Sequence, residues 1–493
     1  MKGNVLKILF AFLVAGLVLA PIAKNFAQDA PQAPAPETAA PAAEAPAAAE
    51  AAPTGMAQQT GGFSRHADPI VLKGEEIPEF AGAKESDIRV FASQGGKLVP
   101  IPCQMDERNQ WGEFVVTKGK RVVPDEDNGA FDDNDEVIFL SRDLGAKADK
   151  AQISGAKKVY EVEVTDPLTS SKGYGYVALY AGSAPANAPE DYIKYVEQGE
   201  GLAVAQNYEL GFLKVTSGLD YNHLVVKKAA GGDDINHFDK LKVRVMQNLR
   251  RGFTLGIPTR LDRTEKNFLV KVYGYKDGQV RVLRVMKVNL QLIWKLPAPG
   301  ATVNSVFYPE WIEWPVPINL PFKPTWAFYN IELDVSHDYA YKPTDGVKIY
   351  TSANPNRWDI VDGKMSPEET AVNKQDVKGA YYGYDATSIG AGAGFYTVRP
   401  PKSFAVTELG LYSDSADDGT EPEYYKGDGN NKDRPEWIKG ALPLAGGRMI
   451  DWGGVGRGIH TVYYYHFYPP QYKPGAEKGF LDIIDHPVSV TVN

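Results

Sequence analysis

The sequence predicts an all-β fold of two β-sandwich-like modules, set behind a signal peptide and a disordered Ala/Pro linker. Three observations carry that prediction. From Arg65 onward, short runs rich in β-branched and aromatic residues alternate in polarity, the period-2 mark of half-buried strands. Forty-eight glycines and 35 prolines punctuate those runs as turns. Beyond the N-terminus no window carries the periodicity of an amphipathic helix, and no internal repeat is evident.

The N-terminus reads as an export signal. Lys2 and Lys7 precede an uncharged apolar stretch from Ile8 to Ile22. That length suits a signal-peptide core and falls short of the roughly 20 apolar residues of a membrane span. Cleavage after Ala27 makes residues 1–27 the signal peptide. Asn25 is an imperfect small-residue position, so an uncleaved membrane anchor is the alternative. The address is therefore periplasmic, cell-surface or secreted. Residues 28–62 hold almost no apolar side chain larger than alanine and cannot offset their ordering entropy. Their prolines break any alanine-driven helix. Fully extended, at ~3.1 Å per residue, the segment reaches about 110 Å and serves as a spacer.

The first module covers residues 63–182, with strand runs Ile88–Ala92, Lys158–Val164 and Tyr174–Tyr180. Gly182-Ser183-Ala184-Pro185-Ala186-Asn187-Ala188-Pro189 then interrupts the pattern. The second module, residues 191–493, opens beyond it and contains the runs Phe268–Tyr273, Val280–Val285 and Phe395–Val398. Between the first two of these, Lys276-Asp277-Gly278 is a hairpin signal.

Composition excludes some functions. Lys+Arg total 53 against 62 Asp+Glu, a net charge of −9, and no basic cluster offers phosphate contacts to nucleic acid. The lone Cys103 excludes an intrachain disulfide and reads as a small buried hydrophobe.

Four segments follow one another in the first module: Asp68–Leu72, Ile88–Phe91, Leu98-Val99-Pro100-Ile101-Pro102-Cys103-Gln104-Met105-Asp106-Glu107, and Asp132–Leu140. This order resembles the opening β-sandwich of exported proteins of unknown function similar to rhamnogalacturonan-type polysaccharide lyases. There a prolines-then-Gln-x-Asp strand precedes an acidic Asp-Glu-Leu-x-Phe strand. The resemblance covers roughly residues 65–145 and departs in Cys103 and Met105. It implies the fold and export, and hints at polysaccharide.

Two constellations could carry chemistry. Asp125 to Glu136 is the densest run of hard oxygen donors, which selects Ca²⁺ over soft-ligand metals. Counted from Asp125, the ligating positions of an EF-hand loop fall on Asp125, Asp127, Asp133 and Glu136. Ala130 occupies the obligatory glycine turn and the flanks read as strands, so a true EF-hand is excluded. A calcium loop joining strands and a solvated loop of Asx-turns are the two readings. A second acidic zone, Asp414 to Asp433, lacks a closing carboxylate.

The other constellation is Gly453 to Tyr468, where a glycine run leads into a strand that places His460, Val462, Tyr464, His466 and Tyr468 on one face. With Arg457 they could line a sugar-binding or lyase cleft, tyrosine donating or accepting and histidine taking a proton. The alternative is a half-buried aromatic strand. About 20 Å separates the two histidines, too far for one metal ion. Tryptophans gather at Trp311, Trp314 and Trp326, where open rings could stack on sugars, although aromatics beside prolines usually pack.

Three functions fit. A non-catalytic envelope or cell-surface protein binding a glycan or a surface protein explains the signal, the spacer and the missing catalytic motifs. A polysaccharide lyase or hydrolase is the enzymatic alternative, and an architectural subunit of a surface assembly the third.

Overall fold

The computed structural model describes residues 63–493 apart from 117, 122, 124–128, 214–218, 220, 292–299, 340–344, 353–357, 363, 365, 373–380, 405, 410–443, 471 and 474. The expected signal peptide and linker lie outside the described residues, as does the acidic zone 414–433. All described residues belong to one compact unit, Ala57–Asn493.

The architecture is mostly β, in five sheets whose pairings are all antiparallel. Two sheets are built from the first part of the chain, one of them completed by the last strand. One has the order β26 (Ser489–Val492), β6 (Lys158–Thr165), β7 (Lys172–Leu179), β2 (Ile88–Gln94), β3 (Lys97–Ile101). The other is β1 (Pro69–Lys73), β5 (Glu136–Leu140), β4 (Gln104–Asp106). Alternation dictates the packing between them: in β6, Tyr160, Val162 and Val164 are buried while their neighbours are not. They meet Ile70, Leu72, Val90, Val137, Phe139 and Val177 in one apolar core. Cys103 lies in that core, and burial pushes its thiol up to about 11, which makes it inert near neutrality.

No strand occurs between Leu179 and Ile193, so the Gly/Ala/Pro interruption is a connection. It leads to a four-stranded sheet, β11 (His223–Val226), β10 (Tyr208–Gly211), β9 (Leu202–Ala205), β8 (Ile193–Val196). A five-stranded sheet follows: β13 (Thr259–Arg263), β12 (Phe238–Leu249), β18 (Phe328–Tyr339), β24 (Leu444–Asp451), β23 (Val406–Leu409). The largest sheet has nine strands in the order β14 (Phe268–Asp277), β15 (Val282–Leu290), β16 (Ala301–Phe307), β17 (Trp311–Leu320), β25 (Gly458–Phe467), β22 (Ala393–Arg399), β21 (Tyr381–Asp385), β19 (Lys348–Thr351), β20 (Asp359–Ile360). The hairpin expected at Lys276-Asp277-Gly278 joins β14 to β15, with Asp277 opposite Val282.

Both faces of the nine-stranded sheet are covered. One carries Trp314, Tyr382, Tyr384 and Tyr396 into a core shared with Tyr208, Tyr221, Phe238 and Tyr339. The opposite face carries Trp311, Phe395, Tyr465 and Phe467, which pack with Phe114, Ile138 and Leu140 and with Phe480 and Ile483. Double coverage explains the near-continuous aromatic runs of its inner strands.

Among the described residues three short α-helices depart from the purely β expectation: α1 (Pro324–Ala327), α2 (Pro367–Val372) and α3 (Glu477–Asp485). Among the described residues no helix is long and apolar enough to cross a membrane.

Candidate functional site

The strand β25 does not present its alternating row to solvent. Tyr464 lies opposite Trp314 and Val398, and His466 opposite Ile312 and Tyr396. The His466 side of this strand therefore faces the inner core, and His466 is 2% exposed. Its ring stands edge-on to Trp314, His337 and Tyr396, with centroids 4.8, 4.8 and 4.5 Å away. Burial, with His337 beside it, pushes the His466 pKa well below the usual imidazole value, so the ring is neutral. Its Nδ1 has no hydrogen-bond partner.

His337 arrives from β18 and links two phenols, one at each ring nitrogen: Tyr221 at Nε2 and Tyr382 at Nδ1. The Tyr339 hydroxyl donates to Tyr396 at 2.7 Å, and the Tyr468 hydroxyl to the same oxygen at 3.4 Å. Burial raises the phenols of Tyr221, Tyr382, Tyr396 and Tyr468 well above their usual value, so they remain protonated. A neutral His466 ring and protonated phenols suit a dry hydrogen-bonded network. This one ties the five-stranded sheet to the nine-stranded one, with Tyr221 reaching in from beside the four-stranded sheet.

The remaining members of the expected cleft lie elsewhere. His460, opposite Ile318, accepts at Nδ1 from the Ser403 hydroxyl at 3.0 Å and donates from Nε2 to the Gly456 carbonyl at 3.0 Å. That pair of contacts fixes the tautomer. Arg457 is exposed on the turn before β25. Arg457 and His460 thus share one end of the strand, Tyr464 sits against the core, and His466 lies within it. The structure does not bring the four together.

The acidic loop divides likewise. Asp125 and Asp127 lie outside the described residues, and Asp133 is exposed. Asp132 and Asp135 accept from backbone amides of the same loop, Asn134 and Asp132, which are Asx-turn contacts. Glu136 points inward. Its Oε1 receives the Arg108 guanidinium at 2.6 Å and its Oε2 receives Arg281 at 2.5 Å. Arg281 also pairs with the fully buried Asp106 at 2.8 Å. Burial alone would raise the Asp106 carboxyl, yet Arg281 and Lys276 outweigh it and hold it low. Gln104 completes the junction. Its Oε1 accepts from the Val280 and Arg281 amides, each at 2.9 Å, and its Nε2 donates to Asp106. Among the described residues no cluster of three or more histidine, cysteine or carboxylate groups is arranged to hold a metal ion.

Trp111, at 68% exposure, stands apart from any aromatic partner among the described residues, but of the three tryptophans gathered between residues 311 and 326 one behaves differently from the other two. Trp311 and Trp314 are buried, whereas Trp326, in the one-turn helix α1 that follows β17, is 52% exposed. Phe322 and Phe253 stand edge-on to it at 5.7 and 5.1 Å. Phe253 opens a tight loop between β12 and β13 that projects Leu255 at 75% and Ile257 at 60% exposure. Leu255 has φ +52°, a left-handed conformation rare for a non-glycine residue. The loop is locked by amide bonds from Gly256 to the Arg251 carbonyl and from Ile257 to the Thr254 carbonyl. It is fastened to α1 by the Arg250 amide, which donates to Ala327, and by Arg250 Nε, which donates to Thr325. The sequence signal for Trp326 was present, but its flanking prolines pointed to packing.

No protein-family model matches the chain, and no curated protein matches it. Among solved structures it is similar to an alpha-mannosidase from Enterococcus faecalis V583, with a TM-score of 0.41 and 10% identity over 88% of this chain and 45% of that one. A protein in the glycosyl hydrolase family 38 from Enterococcus faecalis gives a TM-score of 0.39 and 9% identity over 88% and 46%. The chain spans less than half the length of either.

Proposed function

We propose that this chain is an exported, non-catalytic binding protein of the cell envelope whose contact face is the Phe253–Phe322–Trp326 platform. The observation that carries the reading is the half-exposed indole, held edge-on by two phenylalanines at the end of a sheet. A soluble protein gains nothing in stability by leaving such a ring in water, and exposed aromatic patches mark contact surfaces. The N-terminal apolar segment and the Ala/Pro spacer support an extracytoplasmic address. A glycan is one partner of this class, because an open indole stacks on the apolar face of a sugar ring. The lyase reading has less support, since Arg457, His460, Tyr464 and His466 do not converge on one cleft.

The test is co-sedimentation of the full chain with an envelope fraction holding membrane and insoluble glycan. Trp326→Ala is expected to weaken pelleting by about thirtyfold, the ~2 kcal/mol of a binding hot spot. Equal pelleting of the two proteins would sink the reading.

A further inference from the structure

We infer, resting on that reading, that the partner is an anionic lipid surface, entered by the Leu255 and Ile257 tip and met by the cations behind it. Three features separate this surface from a sugar platform or a self-association patch. Its most exposed members, Leu255 and Ile257, are aliphatic, and aliphatic side chains at a loop tip suit insertion below lipid headgroups better than stacking on a sugar. The tip is rigid and strained, holding Leu255 outward at positive φ, so little ordering entropy remains to be lost on insertion.

The third feature is charge. Residues 250–260 and 320–329 contain Arg250, Arg251, Arg260 and Lys323 and no carboxylate at all, in a chain whose net charge is −9. The side chains of Arg250, Arg251 and Lys323 are exposed, and Arg260 is paired with Asp262. A local excess of cations beneath an apolar tip is complementary to anionic headgroups, each such cation contributing about 1 kcal/mol near the surface. The half-exposed Trp326 adds a ring of the type that settles at a membrane–water interface.

The experiment places a polarity-sensitive fluorophore on Leu255→Cys in the full chain. Cys103 is buried and does not compete for the label. A probe at position 255 reports that site alone, whatever the N-terminal apolar segment does. Vesicles of phosphatidylcholine mixed with phosphatidylglycerol are expected to shift its emission to the blue, and vesicles of phosphatidylcholine alone to leave it unchanged. The response should weaken as salt is added. Arg250→Gln and Lys323→Gln should each weaken partition about fivefold. No shift with either vesicle, or an equal shift with both, overturns the inference. A shift that depends on protein concentration without vesicles assigns the face to a second copy, and also overturns it. A shift produced by the insoluble glycan instead, lost with Trp326→Ala, removes the lipid and leaves the binding function standing. No response to vesicles, glycan or protein concentration removes both.

Discussion

Individual side chains decide most of what the acidic loop can do. Glu136 already accepts from two guanidinium groups, and removing a carboxylate from such a buried pair leaves uncompensated charge. A calcium ion in the 125–136 loop that recruited Glu136 would incur that cost. Chelation is therefore expected to leave the melting temperature unchanged. A calcium-dependent rise that Asp133→Ala erases would show that the loop closes on a metal without Glu136. Asp143 offers a pH prediction. Its Oδ1 accepts from the Tyr192 hydroxyl at 2.7 Å, while its Oδ2 is buried without a partner. Burial raises its pKa to about 6 from an ordinary 3.8. The native state thus holds this proton more tightly than the unfolded chain, so its contribution is greatest in acid and is lost as pH rises from near 4 to near 6. Asp143→Asn is expected to stabilise by on the order of 1 kcal/mol at pH 8 and by nothing below pH 4. Equal melting shifts at both pH values would refute the assignment. At this scale the sequence was partly legible. Gln104 and Asp106 stood out as a motif, but their partner Arg281 lies 175 residues on from Asp106 and no local pattern joins them. The histidines of β25 were visible, while their burial depended on sheets whose packing no residue spacing encodes.

Elements were legible where local chemistry specifies them. Lys276-Asp277-Gly278 announced its hairpin because a turn residue stood between two alternating runs. Packing adds a second demand on that glycine: a Cβ at Gly278 would lie 2.2 Å from Gln104 Oε1, an atom pinned by two backbone amides. Gly278→Ala is accordingly expected to destabilise by about 1–3 kcal/mol, the usual range for overpacking. Chemical denaturation would measure it, and a change below a few tenths of a kcal/mol would mean that Gln104 swings free. The helix α3 overturns the expectation of no helical period beyond the N-terminus. It is nine residues long, and Phe480, Leu481, Ile483 and Ile484 recur at helical spacing and pack on one core, a signal too short to stand out among long strand-like runs. What holds it is tertiary: Glu477 accepts from the Tyr350 hydroxyl at 2.5 Å and from that of Tyr472, and the Gly475 amide donates to the same carboxylate at 2.9 Å. The tip loop after β12 was unreadable, since Leu255 and Ile257 look like core residues until the sheet ends beneath them.

Across the molecule, residues far apart in sequence complete one another's sheets. The short strand β26 pairs with β6, Val490 opposite Val164 and Val492 opposite Val162, and both valines pack on the first core. Deleting residues 487–493 is expected to lower stability by roughly 2–4 kcal/mol, the burial of three half-covered valines, Val488 among them, and their ladder bonds. Proteolysis should then begin in β6, and an unchanged unfolding midpoint would show that the strand is ornamental. The all-β class was readable because alternation is local, whereas the order of strands within each sheet depends on contacts between distant segments.

That closing strand also sets a sequence of events in time. Val162 waits for a partner made 330 positions later (492 − 162), so β6 keeps an open edge through most of synthesis. The first sheet therefore closes only after the segment carrying Ser489–Val492 has been made. The same interval leaves a sticky border for any holding factor that meets the emerging chain, and slow non-local closure lengthens it. The short strand Ser489–Val492 thus acts as a clasp, and its arrival is the step that seals the border of the first sheet.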